Sequence, residues 1–138
     1  MIYLDTSALL KLLVEEDHSS ALDDYLRATT GVAFTSALAE VELPLALGRG
    51  GLDPQPAREL LRQLAAVDMT AQIRDRAAGY GALGLRALDA LYVATAALLV
   101  EALGEVIPVV TYDRRMVEAC ERLGLATATP GAETSAAS

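Results

Sequence analysis

The chain has 138 residues, the length of one ordinary domain, and 53% of them are hydrophobic. Its formal net charge is −8, from 19 acidic and 11 basic residues, which argues against a protein that coats nucleic-acid backbones regardless of sequence. Aromatic residues make up only 4% of the chain, so a base-stacking platform is not expected either.

The cysteine and histidine counts restrict the kinds of site that the chain can build. Cys120 is the single cysteine and His18 the single histidine, so neither an internal disulfide nor a zinc site of the usual type is available. We therefore expect a reducing, cytoplasmic compartment. The chain begins without a basic leader, and its longest apolar run, 90–100, is about half a bilayer span, so we expect neither a signal peptide nor a membrane segment.

Short apolar runs alternate with helical patterns along the chain. The first half predicts a strand over 2–4, a helix that Thr6 and Ser7 could cap, a helix around 22–26, a strand over 32–34 and a helix from Ser36 to Leu47. The second half predicts a helix around 60–64, a weak strand over 66–69, helices over 71–80, 88–103 and 114–123, and strands over 108–111 and 125–127.

Alternating strands and helices predict an α/β domain, with a parallel sheet and helices on both of its faces. No internal repeat or long linker divides the chain. We therefore expect one domain over 1–130. The residues that follow, 131–138, are small and polar, and predict a flexible tail.

Carboxylates follow two of the predicted strands, at the sheet edge where open parallel sheets bind ligands. Asp5 comes directly after the first strand, and Asp113 follows the strand over 108–111. Asp89 lies in the first turn of the long apolar helix, and Glu40 and Glu42 lie on another largely apolar helix. Each acid taken singly could be a helix cap or a complement to a helix dipole.

Several carboxylates in one cleft predict a bound cation. Two of them at 4 Å repel by roughly 4 kcal/mol at an effective dielectric of 20, and a cation removes this repulsion. Because histidine and cysteine ligands are lacking, the ligand set is all oxygen, which favours Mg²⁺ or Mn²⁺ over zinc. Such a centre is suited to phosphodiester hydrolysis by a metal-activated water.

Four stretches of the chain resemble the motifs of PIN-domain ribonucleases, and among them the VapC-type toxins of bacterial toxin–antitoxin pairs. They are 1–10 (MIYLDTSALL), 36–43 (SALAEVEL), 85–95 (LRALDALYVAT) and 110–116 (VTYDRRM). The similarity covers nearly the whole chain up to about 130, with the motifs in the expected order and spacing.

The resemblance implies a PIN-like fold, with a five-stranded parallel sheet and an acidic Mg²⁺ or Mn²⁺ pocket. Asp5, Asp89 and Asp113 match acids of the family and would bind the metal. The second acid of the motif set matches Glu42, which would complete the metal shell or position the water. The resemblance also implies an RNA substrate, inhibition of translation, a cognate VapB-type antitoxin and a homodimer.

The residues themselves leave the choice between Glu40 and Glu42 open. The two lie about 200° apart on a helix, so only one can face a given site. Pro44 deletes a backbone hydrogen bond in this helix and clashes with the carbonyl of Glu40. The resulting kink could redirect Glu42 or bring Glu40 into the site.

Hydroxyl groups beside the acids are candidate supporting groups. Thr6, Ser7 and Thr111 could orient carboxylates or a metal-bound water. The alternatives are helix capping for the first two and strand propensity for Thr111.

Arginines flank two of the acidic motifs. Arg86 and Arg114 could bind RNA phosphates, with a solvated surface or a local ion pair as the alternative. For Arg115 we favour that alternative.

Other interpretations of the sequence lead to different functions. Residues 79–84 satisfy the G-x-G-x-x-G pattern, but they follow a polar helix rather than a strand, so we expect a loop. A phosphohydrolase resembling the haloacid dehalogenases would use Asp5 as nucleophile, although Ser7 stands where its second aspartate belongs. A PIN-like module that binds RNA or protein without catalysis is the remaining alternative.

Overall fold

The computed structural model describes residues 1–133, and its strands are short and buried at the centre. The strands are β1 (Ile2–Leu4), β2 (Ala33–Ser36), β3 (Ala65–Val67), β4 (Val109–Val110) and β5 (Thr127–Ala128). The helices are α1 (Thr6–Leu13), α2 (Ser19–Ala28), α3 (Ala39–Arg49), α4 (Gln55–Leu61), α5 (Ala71–Ala78), α6 (Ala87–Leu103) and α7 (Arg114–Arg122).

The strands form one five-stranded parallel sheet in the order β3-β2-β1-β4-β5, which confirms the predicted architecture. The chain builds outward from β1 to β2 and β3 on one side, and then returns to add β4 and β5 on the other. Strand order therefore reverses between β1 and β4, and a crevice opens beyond the carboxyl ends of these two strands.

Helices cover both faces of the sheet because successive residues of β1 point in opposite directions. Leu4 packs with Leu9, Leu22 and Leu43 in a core that α1, α2, α3 and α4 cover. Tyr3 packs on the opposite face against Tyr92 and its neighbours on α6 and α7. The prediction of helices on both faces is therefore confirmed.

Three local predictions are wrong, two of them because a different side chain accepts from the backbone N–H groups. Asp5, rather than Thr6 or Ser7, caps α1, since its Oδ1 accepts a hydrogen bond of 3.0 Å from the backbone N–H of Ala8. Ser36 ends β2 instead of opening a helix, and its Oγ accepts from the N–H of Leu38 at 3.1 Å. The last strand pairs with β4 two residues later than predicted, at Thr127–Ala128.

The glycine pattern at 79–84 forms a connection between α5 and α6, as predicted. Residues 81–83 make a single 3-10 turn, and Gly84 follows with φ +69°, a conformation that side chains rarely adopt. No strand leads into this segment, so it lacks the context of a dinucleotide site.

Within residues 1–133, no helix has the length and apolar character needed to cross a membrane. Most of the predicted tail, 134–138, lies outside the described residues.

Candidate active site

Strand pairing brings Asp5 and the 111–113 segment together at the carboxyl edge of the sheet. Leu4 of β1 pairs with Val110 of β4, so the residue after each strand lies at the same level. The backbone N–H of Asp5 donates to the carbonyl of Val110 at 3.2 Å and continues this pairing by one residue. Asp5 and Thr111 are thus neighbours, although 106 positions separate them.

The carboxylate of Asp5 is buried, with 3% of the residue exposed, and both of its oxygens accept hydrogen bonds. Oδ1 accepts from Ser7 Oγ at 2.7 Å and from the N–H of Ala8, while Oδ2 accepts from Thr111 Oγ1. Burial raises the pKa of Asp5 to about 6, against the lowering effect of these hydrogen bonds and with a further increase from the charge of Asp113.

The same hydroxyl groups hold the loop that follows β4. Ser7 Oγ accepts from the N–H of Tyr112 at 2.9 Å, and Thr111 Oγ1 accepts from the N–H of Asp113 at 3.1 Å. The two hydroxyls therefore link the carboxylate of Asp5 to the segment that carries Asp113. The groups of this network lie directly after β1 and β4.

Asp113 caps α7 as Asp5 caps α1. Its Oδ1 accepts from the N–H groups of Arg115 at 2.9 Å and Met116 at 3.4 Å. Two helix N-termini thus point at the crevice, and each carries partial positive charge that favours carboxylates and phosphates. Capping and membership of an acidic site are compatible for these two residues, although the sequence presents them as alternatives.

Asp89 lies in the first turn of α6, close enough to Asp113 for their charges to interact. Burial raises the pKa of Asp89, the negative charge of Asp113 raises it further, and Arg86 and Arg115 oppose the shift. Arg86 Nε lies 3.7 Å from Asp89 Oδ2 in an ion pair at the surface. The charge of Asp113 therefore raises the pKa of both other aspartates, Asp5 and Asp89.

The structure separates Glu42 from Glu40. Glu42 and Asp89 line a cleft of about 540 Å³ together with Arg49 and Arg86, whereas Glu40 is exposed and does not line it. Pro44 lies inside α3 without ending it, since the helix continues to Arg49. The kink expected from Pro44 does not bring Glu40 into the cleft.

One oxygen of Glu42 is a buried acceptor without a partner. Its Oε1 is shielded from solvent and has no hydrogen-bond partner within residues 1–133. Burying a carboxylate oxygen without a partner costs free energy of folding, and a nearby hydrogen-bond donor or cation would offset that cost.

The donor set fits a hard divalent cation in its chemistry. All four candidate acids supply oxygen, Asp5 and Asp89 have raised pKa values, and Glu42 has an unsatisfied oxygen. In the described part of the chain, however, no three acidic, histidine or cysteine side chains converge on a point that one cation could occupy. Asp5 and Asp113 instead bond to helix N–H groups and Asp89 pairs with Arg86.

The remaining predicted residues lie at different distances from the acids. Ser7 and Thr111 bond to Asp5 directly, whereas Thr6 Oγ1 donates to the hydroxyl of Tyr92 at 2.8 Å. Arg114 is exposed and lines a separate cleft of about 240 Å³ with Tyr112.

Three residues at the site are missing from the sequence interpretation or undervalued in it. Tyr92 is three residues after Asp89 and Arg49 seven after Glu42, spacings that place each pair on one helix face. This spacing is the signal that would have found them. Arg115, which we expect on a solvated face or in a local ion pair, carries a positive charge that lowers the pKa of Asp89.

Comparison with known proteins identifies the family of the chain. The PIN domain family matches residues 2–122. This chain belongs to the PIN-domain family. Ribonuclease VapC35 of Mycobacterium tuberculosis is 44% identical to this PIN domain over 95% of the chain and 98% of the relative. Ribonuclease VapC47 of the same species is 40% identical over 96% of the chain and 98% of the relative.

A solved structure supports the fold of this PIN domain. A chain of a toxin-antitoxin complex from Klebsiella pneumoniae aligns with a TM-score of 0.66 at 19% identity, covering 82% of this chain and 87% of that one. The predicted PIN-like architecture is therefore confirmed.

Similarity over nearly the full length makes this PIN domain a VapC-type endoribonuclease toxin, as its motifs predict. Dependence on a divalent metal is general among such ribonucleases. The phosphohydrolase and the non-catalytic alternatives are wrong on the same grounds.

Proposed function

We propose that this PIN domain hydrolyses RNA phosphodiester bonds at the crevice beyond β1 and β4, using Asp5, Glu42, Asp89 and Asp113. The observation that carries the proposal is the buried carboxylate of Asp5, whose pKa is raised to about 6 between two capped helix N-termini. A charge so buried costs stability, and its retention at a ligand-binding edge is typical of a functional site.

Asp5, Asp89 and Asp113 would hold the metal, which we propose to be Mg²⁺ or Mn²⁺. A cation held by these residues would supply Lewis-acid chemistry for phosphodiester hydrolysis. Ser7 and Thr111 hold the carboxylate of Asp5 in place through their hydrogen bonds. Glu42 lines the cleft with Asp89 and is suited to accept a proton from a water that it positions.

Arginines around the cleft would bind the phosphates of the RNA. Arg49 and Arg86 line the cleft that contains Glu42 and Asp89, and Arg115 acts electrostatically on Asp89. Arg114 is exposed near the same edge and is a candidate for a more distant phosphate. With a net charge of −8, RNA binding through a few such contacts is more reasonable than broad coating.

The proposed partner besides RNA is a VapB-type antitoxin that covers the site. The net charge of −8 suits a basic segment of such a partner. Co-expression with a cognate VapB-type antitoxin should yield a stable complex that no longer cleaves RNA. Free cleavage by the co-purified complex would contradict this proposal.

We further propose that the chain forms a homodimer. Val41 and Leu45 lie one turn apart on α3 and are 66% and 48% exposed, an apolar stripe of the kind that interfaces cover. Light scattering coupled to size-exclusion chromatography should give twice the chain mass, and a monomer mass at micromolar concentration would refute the dimer.

The decisive experiment replaces Asp5 by Asn and measures cleavage of RNA with Mg²⁺ and with a chelator. We expect the unaltered chain to cleave only with the metal and Asp5→Asn to lose at least about 100-fold in rate. Asp53→Asn is a matched control because Asp53 is an exposed acid that accepts a hydrogen bond from the N–H of Gln55 and does not line the cleft of Glu42 and Asp89. Cleavage in chelator, or by Asp5→Asn at the control rate, would overturn the mechanism.

A further inference from the structure

The buried Oε1 of Glu42 has no hydrogen-bond partner within residues 1–133, and the proposed chemistry does not explain this. Glu42 on α3 and Asp89 at the start of α6 line one cleft, and Tyr92 lies one turn after Asp89 on the same helix. Buried carboxylate oxygens are normally satisfied by a donor. We therefore expect a neighbouring side chain to supply the donor.

Tyr92 has a hydroxyl whose acceptor side is already occupied. Thr6 Oγ1 donates a hydrogen bond to it at 2.8 Å, and only 2% of Tyr92 is exposed. Because the phenol oxygen accepts from Thr6, its own proton is left for another acceptor. The ring cannot turn freely, since it packs edge-on to Tyr3 with centroids 6.5 Å apart.

Electrostatics link this hydroxyl to Glu42. The pKa of Tyr92 lies well above its ordinary value, chiefly because burial disfavours the phenolate, and the negative charge of Glu42 raises it further. The phenol therefore keeps its proton beside the carboxylate. A protonated hydroxyl near an unsatisfied carboxylate oxygen can donate a hydrogen bond to it.

We propose that a small movement of the Glu42 side chain lets the unpartnered Oε1 accept a hydrogen bond from the Tyr92 hydroxyl, which Thr6 holds, and that this bond positions the Glu42 carboxylate in the cleft. This inference rests on the proposed function, because it gives Glu42 its orientation for the attacking water. Tyr92 is a positioning residue, since it acts through Glu42 and does not contact the RNA. Holding one carboxylate oxygen leaves Oε2 as the oxygen presented to the cleft.

Tyr92→Phe tests the proposal because it removes only the hydroxyl. We expect kcat for RNA cleavage to fall about 10- to 100-fold with KM within about threefold of the unaltered chain. Tyr3→Phe is the matched control: its hydroxyl is buried like that of Tyr92 but has no hydrogen-bond partner within residues 1–133, and its ring packs against Tyr92. We expect Tyr3→Phe to leave kcat within about twofold.

A double-mutant cycle in chelator supplies a readout that does not depend on activity. If Tyr92 bonds to Glu42, the change in melting temperature caused by Tyr92→Phe will be at least halved in a Glu42→Ala background, where the acceptor is gone. The change caused by Tyr3→Phe will be the same in both backgrounds. In the active enzyme, Tyr92→Phe will likewise cost less than about twofold in kcat once Glu42→Ala is present.

Thr6→Val keeps the test decisive if Tyr92→Phe does not fold. It removes the donor that anchors the Tyr92 hydroxyl, and we expect kcat to fall in the same direction. An unchanged kcat in the folded variants, additive melting-temperature shifts, or an equal loss in Tyr3→Phe would overturn the role of Tyr92. An unaltered chain that does not cleave RNA with Mg²⁺ or Mn²⁺ would refute the proposed function, whereas the cycle in chelator would still report the contact.

Discussion

The two oxygens of Asp5 serve the fold and the candidate site at once. Oδ1 caps α1 and binds Ser7, while Oδ2 binds Thr111 on the neighbouring strand end. A plain cap would be exposed and have an ordinary pKa, whereas burial raises the pKa of this one to about 6. Burial and the cross-strand partner therefore distinguish Asp5 from the capping alternative.

At the residue scale, the same substitution at Glu42 and at Glu40 should affect the rate of RNA cleavage very differently. We expect Glu42→Gln to reduce RNA cleavage about 100-fold or more, because the residue lines the cleft with Asp89. Glu40→Gln removes an equal charge from the exposed face of the same helix and should stay within about twofold. Steady-state rates of the two variants at equal metal concentration check this, and a larger loss in Glu40→Gln would reverse the assignment.

Cys120 gives a prediction at the same scale that is independent of the site. The thiol is fully buried, and burial raises its pKa to about 12. Since the thiolate is the reactive form, we expect no stoichiometric labelling by a thiol reagent at pH 8 in the native protein and complete labelling after unfolding in urea. Rapid labelling of the native chain, followed spectroscopically, would show that the α7 face opens.

At the element scale, α3 combines a proline, a core residue and a candidate catalytic residue within three positions. Pro44 removes one backbone hydrogen bond, yet the helix continues for five residues to Arg49. Packing compensates for the loss, because Leu43 and Leu47 are buried on the face that covers the sheet. The position of Glu42 thus depends on the burial of its neighbours more than on local helix propensity.

Substitutions at adjacent positions of α3 should therefore change the free energy of unfolding in opposite directions. Pro44→Ala restores the N–H that the carbonyl of Glu40 lacks, and we expect it to increase the free energy of unfolding by about 1 kcal/mol. Leu43→Ala removes a fully buried side chain and should decrease it by about 2–5 kcal/mol. Urea unfolding curves measure both, and destabilisation by Pro44→Ala would mean that the ring of Pro44 contributes more through packing.

At the scale of the whole molecule, strand order places the acids together. β1 lies at the centre of the sheet, and the reversal of strand order between β1 and β4 opens the crevice. Acids from α3 and α6 reach this edge from opposite faces of the sheet. Repulsion among them is the cost of the site in the metal-free protein, so ligand binding and folding are linked.

This linkage predicts a change in stability on adding metal. At a Mg²⁺ or Mn²⁺ concentration of about 100 times Kd, a site present only in the folded state contributes about 2.7 kcal/mol. We expect a corresponding rise in melting temperature, reversed by a chelator and lost in the Asp5→Asn, Asp89→Asn double variant. An equal rise in that variant, or none in the unaltered chain, would contradict the proposed metal ligands.

The sequence by itself determined the architecture of this protein, because hydrophobic periodicity and the alternation of strands and helices are local signals. It also placed Asp5 and Asp113 after the two strands that prove to be adjacent, since acids at strand ends are visible in the chain order. Its motifs determined the family for the same reason, because they are contiguous stretches of residues.

Only the tertiary structure separates Glu42 from Glu40, because both are acids with apolar neighbours in the sequence and only Glu42 lines the cleft that contains Asp89 of α6. The same holds for Thr6, whose hydroxyl reaches Tyr92 across 86 positions of sequence rather than the adjacent acid. The reason is physical: hydrogen bonds and charge interactions depend on distance in space. Periodicity along a helix reports which face a residue occupies, but not which side chain of another element packs against it.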